Sequence, residues 1–248
     1  MPLALLPGVF LLAGVLAACG SATSQGQVAL QAQTPAGQAA PSGAAQFLGT
    51  DASLLQPGAE GQAAYLYVNP NVQWNTYNKV LLKPVEFWDT PDSSVSPNDQ
   101  KMLTSYFYNS LQQNLQKNFT LVGQPGPGVI TVAVAIINAE AATPGMRSVS
   151  VVIPQARILN YAQSVVTGHA AFAGSAEAAF KATDSTTGQP LAESVDRRVG
   201  GMAVSSAAQL QWGDAEAAMD YWSQRIVQRA VALGAGTPTP AAQPSASN

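Results

Sequence analysis

The 248-residue sequence holds one cysteine, Cys19, and one histidine, His169. Cys19 is the single soft nucleophile able to form a thioether. His169, in Thr167-Gly168-His169-Ala170, has no second His and no other Cys with which to complete a zinc site or a Cys-His pair. It reads as structural. No serine sits in a G-x-S-x-G elbow. The glycine-rich run Gly123 to Gly128 has neither a Walker lysine nor the G-x-G-x-x-G spacing of a dinucleotide turn, so it reads as a turn feeding a strand. Glu86, Asp89 and Asp92 can gather a cation, although three acids ahead of a helix also make an ordinary solvated flank. The remaining feature is Asp196-Arg197-Arg198. On a strand, Asp196 and Arg198 share one face and Arg197 takes the other. One guanidinium is then expected to turn inward into a structural ion pair, with partner binding as the alternative. No catalytic, metal-binding or cofactor-binding set emerges, and the expectation is a protein that is not an enzyme.

The charges are confined to one stretch. The 11 basic and 14 acidic side chains all lie between Asp51 and Arg229, and charged residues make up only 10% of the chain. An ordinary soluble protein carries about a quarter. A net charge of −3 leaves no electrostatic footprint for nucleic acid or anionic lipid.

Gly8 to Ala18 (GVFLLAGVLAA) is an uninterrupted run of apolar and small residues. It is too short for a membrane span, which needs about 20 residues, and suits the h-region of a signal peptide. The run closes on Leu16-Ala17-Ala18-Cys19. This resembles a bacterial lipobox, in which small residues admit the backbone to a peptidase and the Cys thiol is alkylated with diacylglycerol. The alternatives are an ordinary cleaved signal with a chance cysteine, or a buried free thiol. A lipidated Cys19 implies membrane anchoring, because several acyl chains hold a protein stably where one does not. Gly20, rather than Asp, after the cysteine implies the outer membrane, facing the periplasm.

The expected organisation follows: residues 1–18 a cleaved signal, 19–46 the lipidated cysteine and a flexible linker, 47–234 one globular domain, and 235–248 a disordered tail. Linker and tail are rich in Ala, Gln, Gly, Ser, Thr and Pro, and bury too little apolar surface to offset the entropy of ordering.

Within the domain, Ser96-Pro97-Asn98-Asp99 offers an N-cap, a proline at the first helical position and an acid three residues after the cap. Leu103, Phe107, Leu111 and Leu115, joined by Met102 and Tyr106, then predict an amphipathic helix to about Asn118. A second helix starts at Gly213-Asp214, with Met219, Trp222, Ile226, Ala230 and Leu233 on one stripe and Gly234 closing it. Period-two patterns predict a central strand over Val129 to Ile137 and further strands around Val149 to Ile153 and over Lys79 to Trp88, the last disturbed by Pro84. Ala176 to Thr183 and Leu191 to Val199 predict a hairpin around Gly188. The fold class expected is α+β: an antiparallel or mixed sheet of about five strands with two amphipathic helices packed on one face. Tyr65, Tyr67, Trp74, Tyr77 and Trp88 are expected mainly in the core, or else as an exposed partner patch.

The segments Phe47-Leu48 to Leu54, Tyr67-Val68-Asn69-Pro70, Trp74, Tyr77-Asn78-Lys79-Val80 and Pro84-Val85 resemble the opening of a family of uncharacterised bacterial lipoproteins, domain of unknown function 3313. Ser194-Val195-Asp196-Arg197-Arg198-Val199-Gly200-Gly201, Trp212-Gly213-Asp214 and Tyr221-Trp222 resemble its closing motifs. The resemblance covers about Phe47 to Leu233. It implies a small envelope domain and brings no established activity, cofactor or site residue beyond Cys19. The expected function is a non-enzymatic binding or accessory domain whose partners are the membrane, through Cys19, and an unidentified envelope protein. The alternatives are an oligomerising subunit of an outer-membrane assembly or secretion system, and a hydrolase whose site is not recognisable from motifs.

Overall fold

A computed structural model of the chain describes residues 31–32, 42–88, 95–142, 174–200 and 211–236. In chain order the elements are β1 (Gln31–Ala32), α1 (Ser42–Leu48), a 3-10 turn (Gly49–Leu54), β2 (Gln56–Pro57), β3 (Tyr65–Val68), a second 3-10 turn (Trp74–Thr76), β4 (Lys79–Leu82) and β5 (Glu86–Phe87). There follow α2 (Pro97–Leu115), β6 (Thr120–Leu121), β7 (Val129–Glu140), β8 (Ser175–Asp184), β9 (Pro190–Val199) and α3 (Gly213–Ala232).

Helix α2 starts where its cap predicts. Ser96 Oγ accepts a bond from the Asp99 amide at 3.2 Å and donates to Asp99 Oδ2 at 2.8 Å, with Pro97 at the first helical position. The leucine and phenylalanine stripe is fully buried, whereas Met102 points outward and is 37% exposed. The helix ends at Leu115, three residues short of the expected Asn118. α3 runs from Gly213 to Ala232, and Gly234 closes it at a φ of +99°, a backbone region that favours glycine.

Among the described residues the sheet has the order β2-β3-β9-β8-β7-β4-β6, with β1 paired to β9 and β5 to β7. It is mixed: the β7–β8, β8–β9 and β9–β3 pairs are antiparallel, while β4 and β5 pair with β7, and β6 with β4, in parallel. The α+β class and the mixed sheet agree with expectation, and the strands outnumber the five expected. Of those not expected, β1, β2, β5 and β6 are two residues each, too short for alternation to be legible, and β3 is four, Tyr65–Val68, whose aromatic and apolar residues carry no polar alternation. The single strand expected over Lys79 to Trp88 is two, because Pro84 lacks the N–H that would continue the ladder on β7. Pairing holds at Lys83 N to Val132 O and resumes at Trp88 N to Ile136 O, both 2.9 Å. The expected strand at Val149 to Ile153 lies outside the described residues.

Both long helices pack on one face of the sheet. Phe107 of α2, Phe180 of β8 and Trp222 of α3 meet with ring centroids 5.8 to 6.0 Å apart, surrounded by Leu103, Leu111, Ile130, Val134, Ile136 and Met219. Tyr106 and Ser110 of α2 donate to the two carboxylate oxygens of Asp220 on α3, at 2.9 and 2.6 Å. The opposite face carries a smaller core of Ala44, Leu48, Tyr65, Ile137, Ala179 and Val195 beneath α1.

Candidate functional site

The apolar stripe of α3 does not stay in the core. Met219 and Trp222 are buried, but Ile226 and Ala230 are half-buried and Leu233 is 41% exposed. Beyond these residues no helix among the described residues lies over the helix-bearing face of β9 and β3, which leaves a trench of about 480 Å³ along α3. Side chains alternate across a strand, so Leu66 and Val68 of β3 and Ala192 and Ser194 of β9 form its floor, with Ser194 opposite Leu66 and Ala192 opposite Val68. Ile226, Ala230 and Leu233 form the wall, and Tyr221, Arg225 and Arg229 follow one another at helical spacing along the rim.

One end is polar and tightly bonded. Asp196 Oδ2 accepts from Arg198 Nε and from Trp222 Nε1, both at 2.8 Å, while Oδ1 accepts from the Ala64 amide at 3.1 Å. Arg198 also lies over the Tyr221 ring at 4.1 Å from its centroid and donates to the Tyr221 hydroxyl at 3.2 Å. Asp196 and Arg198 are 2% and 5% exposed. An ion pair this deep holds only because each partner is compensated.

Arg197 points to the other face, away from Asp196 and Arg198. There it meets Glu140 at 3.2 Å and stands opposite Glu177 in the ladder. Glu177 is buried, and desolvation holds its carboxyl above the ordinary range against the pull of Arg197. Two residues beyond the next cross-strand pair, Lys181 faces Glu193 at 3.7 Å and bonds Asp51 of the first 3-10 turn. Burial pushes the Glu193 carboxyl up to about 7; Lys181 opposes that shift and Asp51 reinforces it. A carboxyl raised in the folded state binds protons more tightly there than in the unfolded chain, so its contribution to stability is present at low pH and fades as pH rises toward 7. Unfolding in urea should therefore show the parent losing stability between pH 5 and pH 8, and Glu193→Gln should flatten that slope. An unchanged slope in the variant would show that Glu193 does not set it.

Cys19, His169, Asp89 and Asp92 lie outside the described residues. Glu86 is exposed and accepts from Trp88 Nε1 at 2.7 Å. Among the described residues no group of His, Cys, Asp and Glu is arranged to hold a metal ion. The five aromatic residues do not form one patch. Tyr65 is in the smaller core and Trp88 packs against it, edge-on to Phe47, while Trp74 lies in the main core and Tyr77 donates to Asp184 Oδ2 at 2.9 Å. The residues that sequence reasoning missed are Tyr221, Arg225 and Arg229. Their four-residue spacing is legible, but arginines late in a helix are accounted for by its dipole, and nothing local marks them as lining a trench.

No curated protein matches the chain. Among solved structures it is similar to a PelC dodecamer from Paraburkholderia phytofirmans (8% identity, 70% of this chain and 96% of that one, TM-score 0.34). It is also similar to protein XCC0632 from Xanthomonas campestris (14%, 67% and 90%, TM-score 0.38) and to the hypothetical protein CT253 from Chlamydia trachomatis (11%, 62% and 94%, TM-score 0.32). These likenesses are too loose to carry anything about function. The model of the family "Protein of unknown function (DUF3313)" matches residues 43–226, a span that takes in the trench floor, the Asp196–Arg198 pair and most of α3. On that match the chain belongs to the DUF3313 family.

Proposed function

We propose that this protein is a lipoprotein, anchored in the outer membrane through acyl groups on Cys19, whose periplasmic domain is a non-enzymatic binding module of the cell envelope. The trench beside α3 is the binding site. The observation that carries this reading is the trench itself: an open apolar surface whose buried polar members, Asp196 and Arg198, are committed to one another and to Trp222, Tyr221 and Ala64. It offers contact area and a shaped floor rather than a reacting group.

Photo-crosslinking residues placed at Val68 and Leu233 of the full chain in cells test it, with a third at the exposed turn residue Gln124 as control. Adducts of one defined mass at the two trench positions and none at Gln124 are expected. Equal labelling at all three positions, or no adduct in the trench, would overturn the reading. A self-adduct would favour the oligomerising subunit instead. The anchor is tested separately by Cys19→Ala, which should leave the membrane fraction and stop incorporating palmitate.

A further inference from the structure

The geometry points to a single-chain anionic lipid as the occupant of the trench, its acyl chain lying along α3 and its charged head at Arg229 and Arg225. This rests on the reading of the trench as the ligand site and adds the class of ligand.

Three observations select that class. The first is length. From Tyr221 to Leu233 the helix advances about 18 Å, and the apolar floor and wall run beside it over that distance, a reach that suits one long extended chain.

The second is the lack of hydrogen-bonding partners. An extended peptide also suits that length, but each of its residues brings an N–H and a C=O that need partners. The ladder lies in the plane of the sheet, where β9 pairs with β3 and β8, and β3 with β9 and, at Tyr65 and Leu66, with β2; the side chains facing the trench are Leu66, Val68, Ala182, Ala192 and Ser194. A peptide here would bury unpaired backbone groups, whereas a polymethylene chain has none to satisfy.

The third is charge. Asp196, the acid facing the trench, is engaged with Arg198, while Glu193 turns to the opposite face and meets Lys181 there. On the rim, Arg225 donates to the Gly61 carbonyl at 3.1 Å. The exposed Arg229 has no hydrogen-bonding or ion-pairing partner among the described residues. A guanidinium left open beside an apolar trench suits a carboxylate or phosphate head, and it disfavours a cationic one.

The test uses the full chain carrying Cys19→Ser, so that no acyl group of its own competes. Palmitate is titrated below its micellar concentration and followed by calorimetry. Saturable binding at one site is expected, with hexadecyltrimethylammonium at least tenfold weaker. Arg229→Glu should weaken palmitate about tenfold; being exposed, that position leaves the fold intact. Ala192→Trp, which fills the floor, should abolish binding while the circular dichroism spectrum is unchanged. No saturable binding, or equal binding of the cationic chain, would overturn the inference, as would indifference to both substitutions. A protein adduct at Val68 in cells together with no palmitate binding rejects the lipid but leaves the binding module standing. Absence of any trench adduct together with no palmitate binding removes both.

Discussion

Replacing Asp196 with alanine is expected to cost the fold about 3–5 kcal/mol, the range for breaking a buried ion pair by removing one partner. Asp196 answers three donors at once, from Ala64, Arg198 and Trp222. Without it the Arg198 charge stays buried beside an unpaired indole N–H. Asp196→Asn keeps the shape but replaces one acceptor with a donor. Its oxygen can serve Arg198 and Trp222, but its NH2 then faces the Ala64 amide, so a large part of the loss should persist. The informative control is Asp196→Ala combined with Arg198→Met, which removes both charges. Because isosteric apolar replacement of a whole buried pair is often neutral, the double variant should recover much of the stability lost by the single one. Urea unfolding measures this as a change in midpoint at constant slope. A single variant within about 1 kcal/mol of the parent would show that the pair contributes little.

The second large effect is expected at Gly200, just after β9. Its amide donates to the Gly174 carbonyl at 2.9 Å, and the Gly174 amide donates to Asp214 Oδ2 at 2.8 Å. A Cβ at residue 200 would overlap the Asp214 carboxyl group itself. Asp214 sits buried in the first turn of α3, where a carboxylate is favoured by the helix dipole. Gly200→Ala must therefore push α3's first turn off the end of the sheet or displace a charge-assisted hydrogen bond. Overpacking costs about 1–3 kcal/mol, and a hydrogen bond to a charged group about 1.5–3. A combined loss of about 3 kcal/mol corresponds to a fall in Tm of roughly 6–12 °C for a domain of this size. A thermal melt within 2 °C of the parent would contradict the close approach.

These two sites show where sequence reading works here. The alternation of a strand predicted that Asp196 and Arg198 share a face and that Arg197 takes the other, and local rules also predicted the Ser96 cap, the helix beginning at Gly213 and the hairpin around Gly188. Each depends on residues within a few positions of one another, where propensity and periodicity operate. Trp222 and Ala64 as partners of Asp196 were not legible, nor was Asp214 as the neighbour of Gly200. Such contacts join residues far apart in sequence, or elements that meet only after the chain has crossed the sheet. The short strands were lost for a different reason, since two residues cannot display a period and the four of β3, Tyr-Leu-Tyr-Val, show no polar alternation.

The trench is the clearest case of what tertiary structure alone decides. In the sequence, Met219, Trp222, Ile226, Ala230 and Leu233 make one continuous apolar stripe, and nothing local separates its buried first half from its open second half. The division arises because α3 and α2 together cover the sheet over β7 and β8 while β9 and β3 extend beyond them. Composition, charge placement and local pattern determined that a charge-poor α+β domain sits between two uncharged flanks, the first of which holds the one cysteine. The packing of two helices on a wider sheet decided which part of that apolar surface became core and which part stayed open, because coverage depends on the relative sizes of elements that the chain brings together only on folding.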